Sequence, residues 1–242
     1  MKLLIVRHAD PDYSIDSLTP TGWEEAKLLA DRLTKLDVKA FYVSPMGRAK
    51  DTASFTLQRL GREAQILDWL REFPARVTKP NKTEPGIAWD WLPQDWAQRP
   101  CFYDKEQWTQ AEEFSCGDVE ELAHKVWDGL DQLLANHGYV REGNYYRAVE
   151  PNEDTIVLVC HFGLESVLLS HLLGISPMIL WHNTCAAPTS VTTLTTEERR
   201  EGIASFRMNA FGDTSHLYVA GREPSFSARF CETFTNQEQR HD

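Results

Sequence analysis

Two short aliphatic runs, far apart in the chain, each lead into a histidine: residues 2–6 run into Arg7-His8, and Thr155–Cys160 runs into His161. Runs of this length and composition read as strands buried on both faces, the kind found in a sheet with helices packed on either side. Between them, apolar residues return at helical spacing. Thr19-Pro20 is a cap followed by proline at the first helical position, and Trp23, Ala26, Leu29, Leu33 and Leu36 share a face, with Glu24 and Glu25 as acids of the first turn. Residues 38–44 read as a second strand, 45–60 as a helix stopped by Gly61, and 64–67 as a third short strand. Asp118 caps an amphipathic helix bearing Val119, Leu122, Val126, Leu130 and Leu133. Residues 139–153 read as a loop, 164–173 as a helix closed by Gly174, and 189–194, 203–208 and 216–219 as later strands. This alternation predicts an α/β three-layer sandwich with a mostly parallel central sheet.

The stretch from about 73 to 117 is different. It is rich in proline, charge and tryptophan (Trp89, Trp91, Trp96, Trp108) and has no sustained period. It reads as an insertion folding over the main domain as a lid. Residues 1–220 then form one domain, followed by a polar tail, 221–242, expected to be poorly ordered.

The formal net charge of −11 argues against nucleic acid or an anionic membrane as partner. It leaves room for a small anionic substrate, which needs only a few cations focused in a pocket. No run has the length of a transmembrane helix, and residues 1–6 are too short an apolar stretch for a signal peptide. The five cysteines are odd in number and show no C-x-x-C spacing, so neither a disulfide framework nor a zinc site is expected, and a reducing cytoplasm fits. No H-x-x-x-H or H-E-x-x-H pattern is present, so a metal or other cofactor is not expected.

In open α/β sheets, ligands bind beyond the carboxyl ends of the strands. Arg7-His8, Ser44 and His161 all occupy such ends, and Arg48 follows Ser44 by about one turn. A neutral imidazole is a good nucleophile at neutral pH. Arginine's planar fork holds phosphoryl oxygens, and a leaving alkoxide needs a proton from a nearby acid. Arg7, His8, Arg48 and His161, with Glu72 as a possible acid, are therefore candidates for phosphoryl transfer.

Four segments carry a resemblance. "LLIVRHADPDYS", "SLTPTGWEEA", "VSPMGRAKDTA" and "VLVCHFGLESVLLSHLLG" resemble, in order, the ordered motifs of the histidine phosphatase superfamily, the phosphoglycerate mutase-like family. The resemblance implies that His8 takes the phosphoryl group, that Arg7, Arg48, His161 and the Phe162 backbone N–H bind its oxygens, and that Glu72 in "DWLREF" is the general acid. Asp118 is a substitute candidate for that acid. Ala9 stands where the family usually has glycine, and Phe162 where it often does; Asp12 or Ser14 is expected to replace a missing asparagine contact. Cys160 reads as a buried inert thiol, and His216 as a weaker candidate for approach to the site. The implied substrate is a small phosphomonoester. The rivals are a phosphoglycerate mutase-type transferase and a non-catalytic binding protein on the same fold. The balance of Arg76, Lys79, Lys82, Arg99 and Lys105 against the acids of the insertion favours hydrolysis over a polyanionic substrate.

Overall fold

The computed structural model describes residues 1–115 and 117–241. Eight strands form one sheet: β1 (Lys2–Arg7), β4 (Ala40–Val43), β5 (Gln65–Ile66), β8 (Tyr139–Glu142), β9 (Tyr145–Ala148), β10 (Thr155–Cys160), β11 (Val191–Arg200) and β12 (Ile203–Asp213). Their order is β5-β4-β10-β1-β11-β12-β9-β8. The half that carries the site, β5-β4-β10-β1, is parallel, and the later strands extend it antiparallel. Two small pairs lie outside it, β2 (Pro11–Asp12) with β3 (Ser17–Leu18) and β6 (Arg76–Val77) with β7 (Gly86–Ile87).

The central strands are apolar throughout because both faces are covered. Leu3 and Ile5 of β1, with Ile156 and Leu158 of β10, join a core with α4 (Val119–Asn136), α5 (Phe162–Leu173) and α6 (Pro177–Asn183). Leu4, Val6, Val157 and Val159 point the other way, against α1 (Pro20–Leu33) and α2 (Gly47–Leu60). The alternation of side chains along a strand thus splits one apolar run between two cores, giving the expected three layers. Thr19 caps α1, its hydroxyl accepting from Gly22 N–H, and left-handed Gly61 and Gly174 end α2 and α5.

Four details differ from the sequence reading. Residues 139–153 are not a loop: they hold the β8–β9 hairpin, turned by left-handed Gly143, where the short alternation of Tyr145–Ala148 is easily missed. Residues 216–219 belong to a short helix, α7 (Ser215–Val219), not a strand. Glu24 and Glu25 lie beyond the first turn of α1 rather than in it, and Glu25 is buried, its carboxylate accepting Asp10 N–H at 2.9 Å and Ser225 N–H at 3.0 Å. The tail is held against the body rather than loose. Besides Glu25–Ser225, Arg7 donates to the Ser227 hydroxyl at 3.2 Å and Arg240 pairs with Asp90.

The insertion, which includes α3 (Pro93–Trp96), shares the main core. Its Trp108 is 1% exposed and meets Trp127 of α4 and Trp181 of α6 edge-on. Of the five cysteines, Cys116 lies outside the described residues; the other four are free, and Cys160 is the buried thiol expected. Among the described residues no helix is long and apolar enough to cross a membrane.

Candidate active site

A cavity of about 720 Å³ opens at the carboxyl ends of the parallel strands and is lined by Arg7, His8, Arg48 and Glu72, among others. Its geometry follows from where the strands stop. Hydrogen bonds from His8 N–H to Cys160 O (2.9 Å) and from Ser44 N–H to Val159 O (3.0 Å) hold the three strand ends level. That places His8 and His161 side by side, with ring centroids 5.0 Å apart.

His8 Nδ1 lies 2.7 Å from its neighbour's carbonyl, Ala9 O. A carbonyl can only accept, so Nδ1 carries the proton and Nε2 keeps its lone pair. Arg48 Nε–H approaches that Nε2 at 3.4 Å. Burial pushes the His8 pKa well below its usual value, and Arg7 and Arg48 push in the same direction. His8 is therefore a neutral imidazole at pH 7, its nucleophilic nitrogen on the side of Arg48. Ala9, where glycine is usual, is fully buried and donates its N–H to Thr52 Oγ1 at 2.9 Å.

His161 is anchored through Nε2 to the Ser44 hydroxyl at 2.8 Å, and its Nδ1 is buried without a protein partner. The Phe162 N–H, at the first position of α5, likewise has no acceptor among the described residues. An unsatisfied buried polar atom is costly, and a phosphoryl oxygen would satisfy both groups. Arg7 is braced by Ala186 O at 2.6 Å, and its buried Nε lacks a partner.

Arg48 is oriented by a residue the sequence reading passed over. Asp16 accepts from Arg48 Nη1 at 2.6 Å and from Gly47 N–H at 2.7 Å. Gly47 permits this approach, since a Cβ there would stand 2.1 Å from Asp16 O. Asp12 and Ser14, expected to reach the phosphate, bond to each other instead, and Tyr13 of the same loop lies over the Arg48 guanidinium at 5.3 Å. The turn-forming Ser-Ile-Asp stretch gave no pattern that singled out Asp16.

Glu72 sits in the same cavity, its carboxylate set on the start of α5. Oε1 accepts from Phe73 N–H (2.9 Å) and Leu164 N–H (2.8 Å), and Oε2 from Gly163 N–H (3.3 Å). These amides favour the ionised form, but burial outweighs them and the net pKa is raised. Asp118, the substitute acid, does not line the cavity. It starts α4 in a left-handed conformation beside a different hollow. His216 also stays outside, 3.1 Å from the Thr189 hydroxyl in another hollow. Among the described residues no three metal-binding side chains cluster.

Gly163 makes the Glu72 seat possible. A Cβ there would lie 2.5 Å from the Trp89 ring and 2.7 Å from Glu72 Oε1. In an exposed helix, Gly→Ala stabilises by about 1 kcal/mol. Here overpacking, at roughly 1–3 kcal/mol, should outweigh that gain. Gly163→Ala is expected to lower the thermal midpoint and to slow alkyl phosphate turnover by displacing Glu72. A raised midpoint with unchanged turnover would contradict this account.

The fold and site together define a class, a phosphoglycerate mutase-like three-layer protein presenting paired histidines and arginines at one sheet edge. The chain belongs to the histidine phosphatase superfamily (branch 1), whose profile matches residues 3–209. It is 38% identical over 80 residues to "Putative phosphoserine phosphatase 2" of Hydrogenobacter thermophilus, a match spanning 29% of this chain and 39% of that one. It is 24% identical over 236 residues to a "Probable phosphatase" of Schizosaccharomyces pombe, covering 90% of this chain and 95% of the other. Similar folds include a phosphoserine phosphatase mutant of Entamoeba histolytica in complex with phosphoserine (TM-score 0.60, 21% identity, 89% of this chain and 98% of that one). A mycobacterial glucosyl-3-phosphoglycerate phosphatase solved with vanadate is another (TM-score 0.58, 22% identity, 88% and 99%).

Proposed function

We propose that the chain is a metal-independent phosphomonoester hydrolase that works through a phosphohistidine on His8 and acts on a small phosphorylated metabolite. The observation that carries this reading is the His8 tautomer. Its Nδ1–H is spent on Ala9 O, leaving Nε2 unprotonated beside the Arg48 guanidinium and in the same cavity as Glu72. Nε2 attacks phosphorus in line with the ester oxygen. The P–O bond breaks, and the leaving alkoxide takes the Glu72 proton. Water then attacks the phosphohistidine, Glu72 takes its proton, and phosphate leaves with His8 neutral again. Arg7, Arg48, His161 and the Phe162 N–H hold the equatorial oxygens, where charge must be met.

The transferase reading needs further cations for a second anionic group. Three of the five in the insertion are occupied elsewhere: Arg99 with Glu113, Lys79 with Trp89 O and Asp90 O, Arg76 with Pro85 O. None of these three lines the His8 cavity, whose further cations are Arg240, paired with Asp90, and Arg229, over the Phe226 ring. The four described free thiols support a reducing cytoplasm.

Since Arg7, Arg48 and the histidines supply the positive charge, activity on p-nitrophenyl phosphate should survive EDTA. Vanadate, which adopts the five-coordinate geometry of the transferring phosphoryl group, should inhibit competitively. Loss on chelation, restored by Zn²⁺ or Mg²⁺, would refute the metal-independent mechanism.

A further inference from the structure

Beside the His8 cavity lies a second one, of about 470 Å³. The two are neighbours, sharing Asp90, Phe162, Ala228, Arg229 and Arg240 among their lining residues. The second cavity has a different character. Its walls come from Trp91, Leu92 and Trp96 of the insertion, Trp181 of α6 and Phe230 of the tail. Leu92 is 51% exposed and Phe230 36%, so apolar surface is left open at the rim.

One titratable group in this wall, His182, is tied down. His182 donates Nδ1–H to Met178 O at 2.7 Å, accepts Trp91 N–H on Nε2 at 3.2 Å, and stacks on Trp96 with centroids 4.8 Å apart. Burial holds its pKa at about 4, so this imidazole is neutral at pH 7. Charge is confined to the seam, where Arg240 pairs with Asp90 and Arg229 lies over the Phe226 ring. A phosphate bound by Arg7 and Arg48 therefore lies in a chamber that shares a wall, at Phe162, Ala228, Arg229 and the Asp90–Arg240 pair, with an aromatic one.

We infer that this second cavity receives the organic part of the substrate, so that the chain takes phosphomonoesters of bulky apolar or aromatic alcohols rather than small polar ones. The inference rests on the proposed phosphatase reading for its phosphate end. Phosphoserine or a phosphoglycerate is small enough to lie wholly within the first cavity and would leave the second in contact with water. A planar aromatic body removes the apolar walls from water, and stacking on rings and guanidinium adds to that gain.

The test compares alkyl phosphates with alkoxide leaving groups of the same class. Binding of 2-(1-naphthyl)ethyl phosphate, ethyl phosphate and phosphoserine to His8→Ala should be measured by calorimetry. The naphthyl compound should bind at least about tenfold more tightly than either of the others. Leu92→Glu and Phe230→Ala, both at the rim, should each shrink that preference severalfold. Equal affinities, tighter binding of phosphoserine, no binding by any of the three, or a preference that both variants leave intact would overturn the inference. Tighter phosphoserine binding would instead assign Arg229 to a substrate carboxylate. Turnover by the unmutated protein reads the other question. A naphthyl preference in binding with no hydrolysis of any ester would sink the phosphatase reading while the subsite stands.

Discussion

His8→Ala is expected to lose phosphatase activity by at least about 10³-fold, the largest effect of any single change in the chain. The arginines would still bind phosphate, and the substituted protein should retain its affinity for inorganic phosphate. What disappears is the nitrogen that divides the reaction into two steps. His8 makes one side-chain bond to its neighbour's carbonyl and one contact with Arg48, so the thermal midpoint should fall only modestly. Mixing the unsubstituted protein with a 32P-labelled ester and denaturing in alkali should leave label on His8, because phosphohistidine survives base and hydrolyses in acid. Arg48 and Arg7 also depress the His8 pKa, and burial depresses it further. The nucleophile thus stays neutral until pH falls well below the usual histidine range, and kcat/KM should not decline through pH 6.5 on account of His8. Unreduced turnover in His8→Ala, or label on another residue, would remove the phosphohistidine from the mechanism.

The strand-end logic that found His8 worked because it depends on local pattern. Apolar runs of five or six residues are legible in sequence, and the residue that follows each run lands at the sheet edge whatever the loops do. Arg7, His8 and His161 are reached in this way, and Arg48 by its place about one turn past Ser44. Asp16 was not, because its role depends on a loop conformation. The loop turns so that one carboxylate meets both Gly47 N–H and the Arg48 guanidinium. The tail differs from its expectation for a related reason. Its polar composition predicts disorder, yet Ser225 and Ser227 are bound by Glu25 and Arg7, residues 200 and 220 positions away. Contacts of that separation leave no periodic trace. Glu25 carries the same ambiguity, since a carboxylate on a helix has the same sequence signature whether it faces water or a buried backbone amide. All four tryptophans of the insertion are buried in the main core, and three also line a cavity: Trp89 that of His8, Trp91 and Trp96 its neighbour.

Glu72→Gln should separate substrates by how badly their leaving group needs a proton. An alkoxide is a poor leaving group, whereas p-nitrophenolate departs unaided. In single-turnover measurements, where phosphorylation of His8 is observed directly, the substitution should slow an alkyl phosphate by about 10²–10⁴-fold and p-nitrophenyl phosphate far less. Glutamine keeps the size of the side chain. Its carbonyl oxygen can still accept Leu164 N–H and Phe73 N–H, but its NH₂ cannot accept from Gly163 N–H, so a modest loss of stability is expected as well. The pH dependence carries a sign that can be checked. Glu72 must be protonated in the first step, and its pKa is raised because burial penalises the carboxylate more than the three amides and Arg48 favour it. The phosphate dianion adds negative charge beside it and pushes the same way. The protonated fraction therefore persists above the ordinary glutamic acid range and falls as pH rises through the raised value. The alkyl phosphate rate should decline on that alkaline limb, and Glu72→Gln should flatten it while lowering the plateau. In the second step the same residue acts as base, so hydrolysis of the phosphoenzyme should show the opposite limb, rising with pH. Equal slowing of both esters, with the alkaline limb intact, would dismiss Glu72 as the acid and leave its carboxylate as a brace for the start of α5.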